Sequence, residues 1–160
     1  MISRLIKGYV RLIEIAIIIL MALLIVAVTL QICGRYIPFV PRYLWTEELS
    51  GFSLIWIIFL GAILGVKEKK HFYADIFPDD LSRGFTKVLD FIYYFTLYVV
   101  SVVFVIFGWR FFKMGYIQKS NLSGLNLGFI YFSVFLSGIS WLIFLTTSLV
   151  AKLKSGVENR

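Results

Sequence analysis

This chain of 160 residues is poor in the residues that build metal centres and redox sites. It has one cysteine, Cys33, and one histidine, His71. A single cysteine cannot close a disulfide within the chain, and these two residues cannot supply a bis-histidine haem or a Cys/His zinc site. Glycine-rich phosphate loops, a serine nucleophile elbow and the paired histidines of metalloproteases are also missing. We therefore expect no catalytic residue, no metal site and no cofactor in this chain, and we do not expect it to be an enzyme.

Charged residues are scarce as well, at 16% of the chain against 60% hydrophobic residues. They are concentrated in joints between four apolar stretches, each near or above the roughly 18 to 20 residues that a helix needs to cross a bilayer. Long apolar runs without alternation favour helices over barrel strands. The sequence predicts one domain, 1–160, with an all-α fold that is integral to the membrane: four transmembrane helices plus amphipathic interfacial segments. The predicted spans are about 12–33, 49–66, 91–109 and 127–150.

The net charge of +7 does not indicate a nucleic-acid partner, because the basic residues lie in short joints beside the spans. Their distribution predicts the orientation instead. Eleven basic residues fall in the N-terminal segment, residues 67–90 and the C-terminal tail, whereas five fall in the other two joints. The positive-inside rule then places both termini and residues 67–90 in the cytoplasm.

Glu14 is the one acidic residue within a predicted span, near the start of the first. It precedes an uncharged run, 15–34, so it should lie near the membrane boundary, where Arg11 one turn earlier can form an interfacial ion pair with it. Two other interpretations stay open. Glu14 could be the coupling carboxylate of a self-contained four-helix small exporter, or it could contact another subunit.

The second, third and fourth spans contain no Asp, Glu, Lys, Arg or His. Substrate and ion pathways usually require intramembrane charges or broken helices, which are costly unless they are used. We therefore expect that this chain does not form a translocation pathway.

A series of short motifs surrounds the first joint and the second span. Arg35-Tyr36 closes the first span, Trp45-Thr46-Glu47-Glu48 opens the second, Phe59-Leu60-Gly61-Ala62 lies inside it, and His71 follows in the next joint. In this order and spacing the chain resembles the small membrane subunit, or Q-type subunit, of the tripartite ATP-independent periplasmic (TRAP) transporters.

The resemblance implies a function and a set of partners. In this family a large multi-span transport subunit binds the substrate and sodium and moves the substrate by an elevator motion. A periplasmic substrate-binding protein delivers the solute, which is sialic acid, a C4-dicarboxylate or another organic acid. The small subunit is a static scaffold in the bacterial inner membrane. By resemblance, then, the chain is an accessory permease subunit of a sodium symporter, with the sodium site in the large subunit. An anchoring subunit of an unrelated membrane complex is a further alternative.

The resemblance also implies an interface, for which we predict these residues: Arg35, Tyr36, Trp45, Glu47, Glu48, Gly61, Gly65 and His71. Carboxylates at a span entrance are costly unless they are solvated or paired, and Glu47 and Glu48 point about 100° apart on a helix. They are either a clamp to another helix or subunit, or a solvated helix start with Thr46 as N-cap. Gly61 and Gly65 form a small-xxx-small pair that admits a close helix, from a partner or from the chain itself.

Three basic residues follow the third span without any acidic neighbour: Arg110, Lys113 and Lys119. On the predicted orientation they face away from the cytoplasm. We expect them to help dock the substrate-binding protein by charge complementarity.

Overall fold

The structure, a computed structural model, describes residues 2–68, 83–120 and 124–158. These residues form four helices, each long and apolar enough to cross a membrane. The helices are α1, Ile2–Tyr36; α2, Trp45–Lys67; α3, Arg83–Ile117; and α4, Gly128–Glu158. Within the described ranges there is no strand, and the one β-type pairing is an isolated antiparallel bridge between Lys119 and Asn126. The predicted all-α membrane fold is confirmed.

The helices are longer than the predicted spans that they contain. The 35 residues of α1 correspond to about 52 Å, well beyond a hydrocarbon core of about 30 Å. The amphipathic N-terminal segment is therefore continuous with the first span. The third helix is already present at Arg83, before the apolar run, and it continues to Ile117.

The helices pack in the order α1, α2, α4, α3 across the bundle. α1 lies against α2, α2 against α4, and α4 against α3. The buried core lies where the first half of α1 meets the second halves of α2 and α4. There the hydroxyls of Tyr9 and Ser140 are 2.7 Å apart and link α1 to α4.

Glycines set the close approach of α3 to α4. A Cβ built on Gly108 would lie 2.8 Å from the backbone nitrogen of Phe135, and one built on Gly138 would lie 2.9 Å from that of Val105. Both distances are shorter than an ordinary contact of about 3.5 Å. The two helices can therefore pack at this distance only with glycine at these positions.

Much of the apolar surface of the bundle is uncovered. Leu12 and Ile18 on α1 are 64% and 68% exposed, and Phe91 on α3 is 69% exposed. Surfaces of this kind require a bilayer or a partner helix.

Candidate functional site

The candidate site lies at one end of the bundle, at which α1 connects to α2 through residues 37–44 and α3 connects to α4; of the α3–α4 joint the structure describes residues 118–120 and 124–127. The hydroxyl of Ser120 in the α3–α4 joint donates a hydrogen bond to Oε1 of Glu48, which ties this joint to the first turns of α2. We call this part of the protein the two-joint end. It contains most of the residues predicted for a subunit interface.

The α1–α2 joint folds back onto the end of α1. It turns at Val40, whose N–H donates to the carbonyl of Ile37 at 3.1 Å. The Nε of Arg42 donates to the carbonyl of Gly34 at 3.4 Å. Gly34 is buried, and a Cβ there would lie 3.2 Å from the carbonyl oxygen of Pro41. The residue directly before the Arg35-Tyr36 motif is thus a glycine in close contact with the returning chain.

Gln31 joins α1 to α2 from inside the first span. Its Nε2 donates to the carbonyl of Thr46 at 2.9 Å and to the hydroxyl of Ser50 at 3.2 Å. A side-chain amide in an apolar span needs hydrogen-bond partners. When those partners lie on a neighbouring helix, the hydrogen bonds hold the two helices together. The start of α2 is therefore held to α1 by a polar side chain as well as by packing.

The adjacent carboxylates of Glu47 and Glu48 have different surroundings. Glu48 is half-buried and accepts the hydrogen bond from Ser120, so it ties α2 to the α3–α4 joint. Glu47 is exposed, and its carboxylate forms no hydrogen bond or ion pair with the described residues. Because they point about 100° apart around the helix, one partner cannot easily serve both carboxylates.

Thr46 is not the N-cap of α2, so this expectation is wrong. The helix begins at Trp45 after Leu44, and no side chain caps it. Thr46 is 1% exposed, and its hydroxyl donates to the carbonyl of Tyr43 at 2.6 Å. Because Thr46 already lies in the first turn, its hydroxyl points back to a preceding carbonyl instead of accepting a helix N–H.

Asn126 organises the α3–α4 joint. Its Nδ2 donates to the carbonyl of Tyr116 in the last turn of α3, at 2.6 Å, and its Oδ1 accepts from the N–H of Gly128 at the start of α4, at 2.8 Å. One side chain therefore satisfies backbone groups at the ends of both helices. The bridge between Lys119 and Asn126 pairs the residues that follow α3 with those that precede α4.

The remaining predicted residues of the two-joint end are on its surface. Arg35 is exposed, and Tyr36 is 75% exposed. Trp45 packs on Tyr43 with ring centroids 6.0 Å apart. Such rings favour the headgroup level of a membrane. Their contact with a partner stays a prediction, and His71 lies outside the described residues.

Gly61 and Gly65 lie on a side of α2 that no described part of the chain covers. A Cβ on either glycine would meet no atom within 4 Å. Leu54 and Ile58, which fall near the same side by helical spacing, are 48% and 56% exposed. Within the described residues this small-residue pair therefore receives no helix.

The charged residues predicted for docking and for the ion pair are all exposed. Lys119 lies in the α3–α4 joint, whereas Arg110 and Lys113 lie on the flank of α3. Arg11 and Glu14 are exposed on α1, and the described residues show no ion pair between them. That pair stays a prediction.

The sequence motifs do not indicate that Gln31 and Asn126 join neighbouring helices. Both are uncharged amides beside long apolar runs, and this is the signal that could have found them. Among the described residues, no group of three or more His, Cys, Asp or Glu side chains could hold a metal ion.

These features define a multi-pass membrane protein with uncharged central spans and a tied cluster of motif residues at one end. The sequence profile of the family described as "Tripartite ATP-independent periplasmic transporters, DctQ component" matches residues 24–155. The chain belongs to this family, and it is a small permease subunit of the inner membrane. The family implies association with a large transport subunit and a binding protein.

Two similar proteins are also named as small permeases of TRAP transporters. They are two proteins of Haemophilus influenzae, both provisionally named TRAP transporter small permease proteins. One is 29% identical over 86% of this chain and 85% of its own length. The other is 22% identical over 84% of this chain and 86% of its own length.

Proposed function

We propose that this chain is the membrane-fixed frame that stabilises the large transport subunit of a sodium-coupled importer of an organic acid. A periplasmic binding protein would deliver the solute, the large subunit would hold the substrate and sodium, and this chain would have no enzymatic activity. Both termini would lie in the cytoplasm. The transported solute would belong to the organic acids that the family takes up, such as sialic acid or a dicarboxylate.

The observation that carries this proposal is the uncovered side of α2. Gly61 and Gly65 form a small-xxx-small pair with open space above each Cβ position. Such a pair lets a second helix approach to backbone distance, and in a bilayer that approach is driven by packing. Glu47 lies about four turns before Gly61, at the two-joint end, and its exposed carboxylate falls near the same side of α2 by helical spacing. We infer that a helix of the large subunit packs along this side.

Lys119 is the best placed of the three predicted docking residues. It is exposed in the α3–α4 joint, which Glu48 holds against α2. Arg110 and Lys113 instead lie over the rings of Phe107 and Trp109, at 5.9 and 5.3 Å from the ring centroids. A binding protein would reach the joint more directly than the flank of α3.

Affinity purification of the chain in mild detergent tests the proposal. We expect it to recover a large multi-span subunit. The double variant Gly61→Leu, Gly65→Leu should lower that recovery roughly tenfold or more, because overpacking of a helix contact costs about 1–3 kcal/mol. Gly8→Leu is the matched control, since a Cβ on Gly8 also meets nothing within 4 Å.

The isolated double variant should keep the helix content of the wild type and should be at least as stable to unfolding, because leucine is favoured over glycine in a helix interior. Equal recovery of the large subunit with both variants would refute α2 as the contact. Recovery of homo-oligomers alone would refute the frame function and favour the self-contained exporter.

A further inference from the structure

A groove of about 470 Å³ runs along the surface of the α3–α4 pair. It is lined by Val105, Ile106, Trp109 and Arg110 of α3 and by Phe135 of α4. The rings of Trp109 and Phe135 are in contact across the two helices, with centroids 5.3 Å apart. The groove is an apolar recess with a guanidinium group on its border.

Lys113 brings a second cation to the same place. Its Nζ lies 5.3 Å from the centroid of the Trp109 ring that lines the groove. Arg110 and Lys113 are both exposed, and both follow directly after the uncharged run 91–109. This is the depth at which hydrocarbon gives way to headgroups. The two cations therefore lie at the polar end of a groove whose other lining side chains are apolar or aromatic.

The sequence around Arg110 and Lys113 contains no acidic residue that could be their counter-ion. From residue 91 to residue 157 there is no Asp or Glu. Arg110 lies over the ring of Phe107 and Lys113 over the ring of Trp109, in cation–π contacts. These contacts leave guanidinium and ammonium N–H groups available to a hydrogen-bond acceptor. An anion from outside the chain fits this end of the groove, and an alkyl chain fits the rest.

We propose that this groove binds one anionic phospholipid. Its phosphate lies between Arg110 and Lys113, and one acyl chain runs along Val105, Ile106 and Phe135 toward the middle of the membrane. A phospholipid matches the groove along its length, because its anionic phosphate lies at the membrane interface beside the cations and its alkyl chain lies deeper beside the apolar side chains. Arg and Lys side chains at the end of a transmembrane span attract an anionic phosphate electrostatically, and the guanidinium group of Arg can bond two of its oxygens.

Tryptophan quenching by brominated lipid measures the binding directly. The full chain is reconstituted in phosphatidylcholine vesicles with increasing fractions of phosphatidylglycerol that carries brominated acyl chains. The Trp109→Phe variant identifies the part of the quenching that comes from Trp109. We expect this part to saturate at a low fraction of the brominated lipid, and we expect brominated phosphatidylcholine at the same fraction to quench less.

Two pairs of variants separate the headgroup from the tail. Arg110→Gln with Lys113→Gln should raise the half-saturating fraction by up to about 30-fold, because each exposed ion pair contributes about 0.2–1 kcal/mol. Arg4→Gln with Lys7→Gln removes the same charge from exposed positions on α1 and should leave quenching unchanged. Ile106→Phe should weaken binding by filling the groove. Leu54→Phe, at a position that is 48% exposed like Ile106, should not weaken it.

Quenching that rises linearly with brominated lipid of either headgroup, and equally in all variants, would show ordinary boundary lipid and overturn the proposal. Loss of Trp109 quenching when the chain is purified with its large subunit would also overturn it, because a protein would then cover the groove. The first result leaves the frame function untouched. The second would place the large subunit on α3 and α4, so the α2 contact would then depend on the recovery experiment with the Gly61→Leu, Gly65→Leu variant.

Discussion

Gly138 lies where α4 crosses α3 at backbone distance, so its replacement by alanine tests the central packing of the bundle. A Cβ at this position would lie 2.9 Å from the Val105 nitrogen, 2.9 Å from the Phe104 Cβ and 3.0 Å from the Ser101 carbonyl oxygen. Two of these are backbone atoms, which cannot rotate away as the end of a flexible side chain can. Gly138→Ala must therefore move the two helices apart.

The expected cost follows from a comparison with Gly61→Ala. Alanine is favoured over glycine in a helix interior by about 0.8–1.0 kcal/mol, and both variants receive this gain. A Cβ on Gly61 meets nothing within 4 Å, so Gly61→Ala carries no steric cost within the isolated chain. The difference between the two variants is the overpacking term alone. We expect Gly138→Ala to be less stable than Gly61→Ala by about 1–3 kcal/mol.

The measurement is the free energy of unfolding of the isolated chain in one detergent, titrated with a denaturing detergent and followed by circular dichroism. Gly61→Ala should be as stable as the wild type or slightly more stable. If Gly138→Ala is as stable as Gly61→Ala, α3 and α4 do not require glycine at their crossing. The close packing described above would then be refuted.

Three further predictions concern single side chains. Asn126→Ala removes the hydrogen bonds to both helix ends and should lower the free energy of unfolding by about 1–2 kcal/mol. Asn126→Asp keeps the oxygen acceptor and should lower it less. Equal losses would contradict the inference that the side chain bonds the ends of both helices. Tyr9→Phe should lose about 0.5–1.5 kcal/mol in the same assay, because it removes the hydroxyl contact but keeps the ring beside Phe144. Lys119→Glu should weaken docking of the binding protein by up to about fivefold at low salt and less at high salt; an effect independent of salt would remove Lys119 from the docking surface.

The sequence predicts the four helices because a bilayer leaves the backbone little choice. Apolar runs of this length must satisfy their own hydrogen bonds, and a helix does so within one segment. The helix ends were less predictable. α3 continues past residue 109 to Ile117 because Arg110 and Lys113 do not end a helix; their long side chains can extend to the interface from a helical backbone.

The arrangement of the site could be predicted only in part. Spacing gives the angle between Glu47 and Glu48, but it does not give the rotation of α2, which decides that Glu48 meets Ser120 while Glu47 stays exposed. The sequence also does not show which glycines lie against a neighbouring helix. Gly61 and Gly138 are both glycines inside apolar helices, and only the neighbouring helix distinguishes the open position from the crowded one.

Three buried serine hydroxyls of the bundle favour a frame over a pathway, and Ser101 tests this. Its hydroxyl donates to the Leu97 carbonyl one turn earlier at 2.6 Å, and Ser133 and Ser140 also donate to carbonyls of their own helix. A hydroxyl bonded in this way packs as a small residue and offers no donor to a passing solute. Ser101→Ala should therefore leave the rate and the KM of uptake by the assembled transporter unchanged. A changed KM would mean that the solute meets this hydroxyl, and the small subunit would then line part of the path.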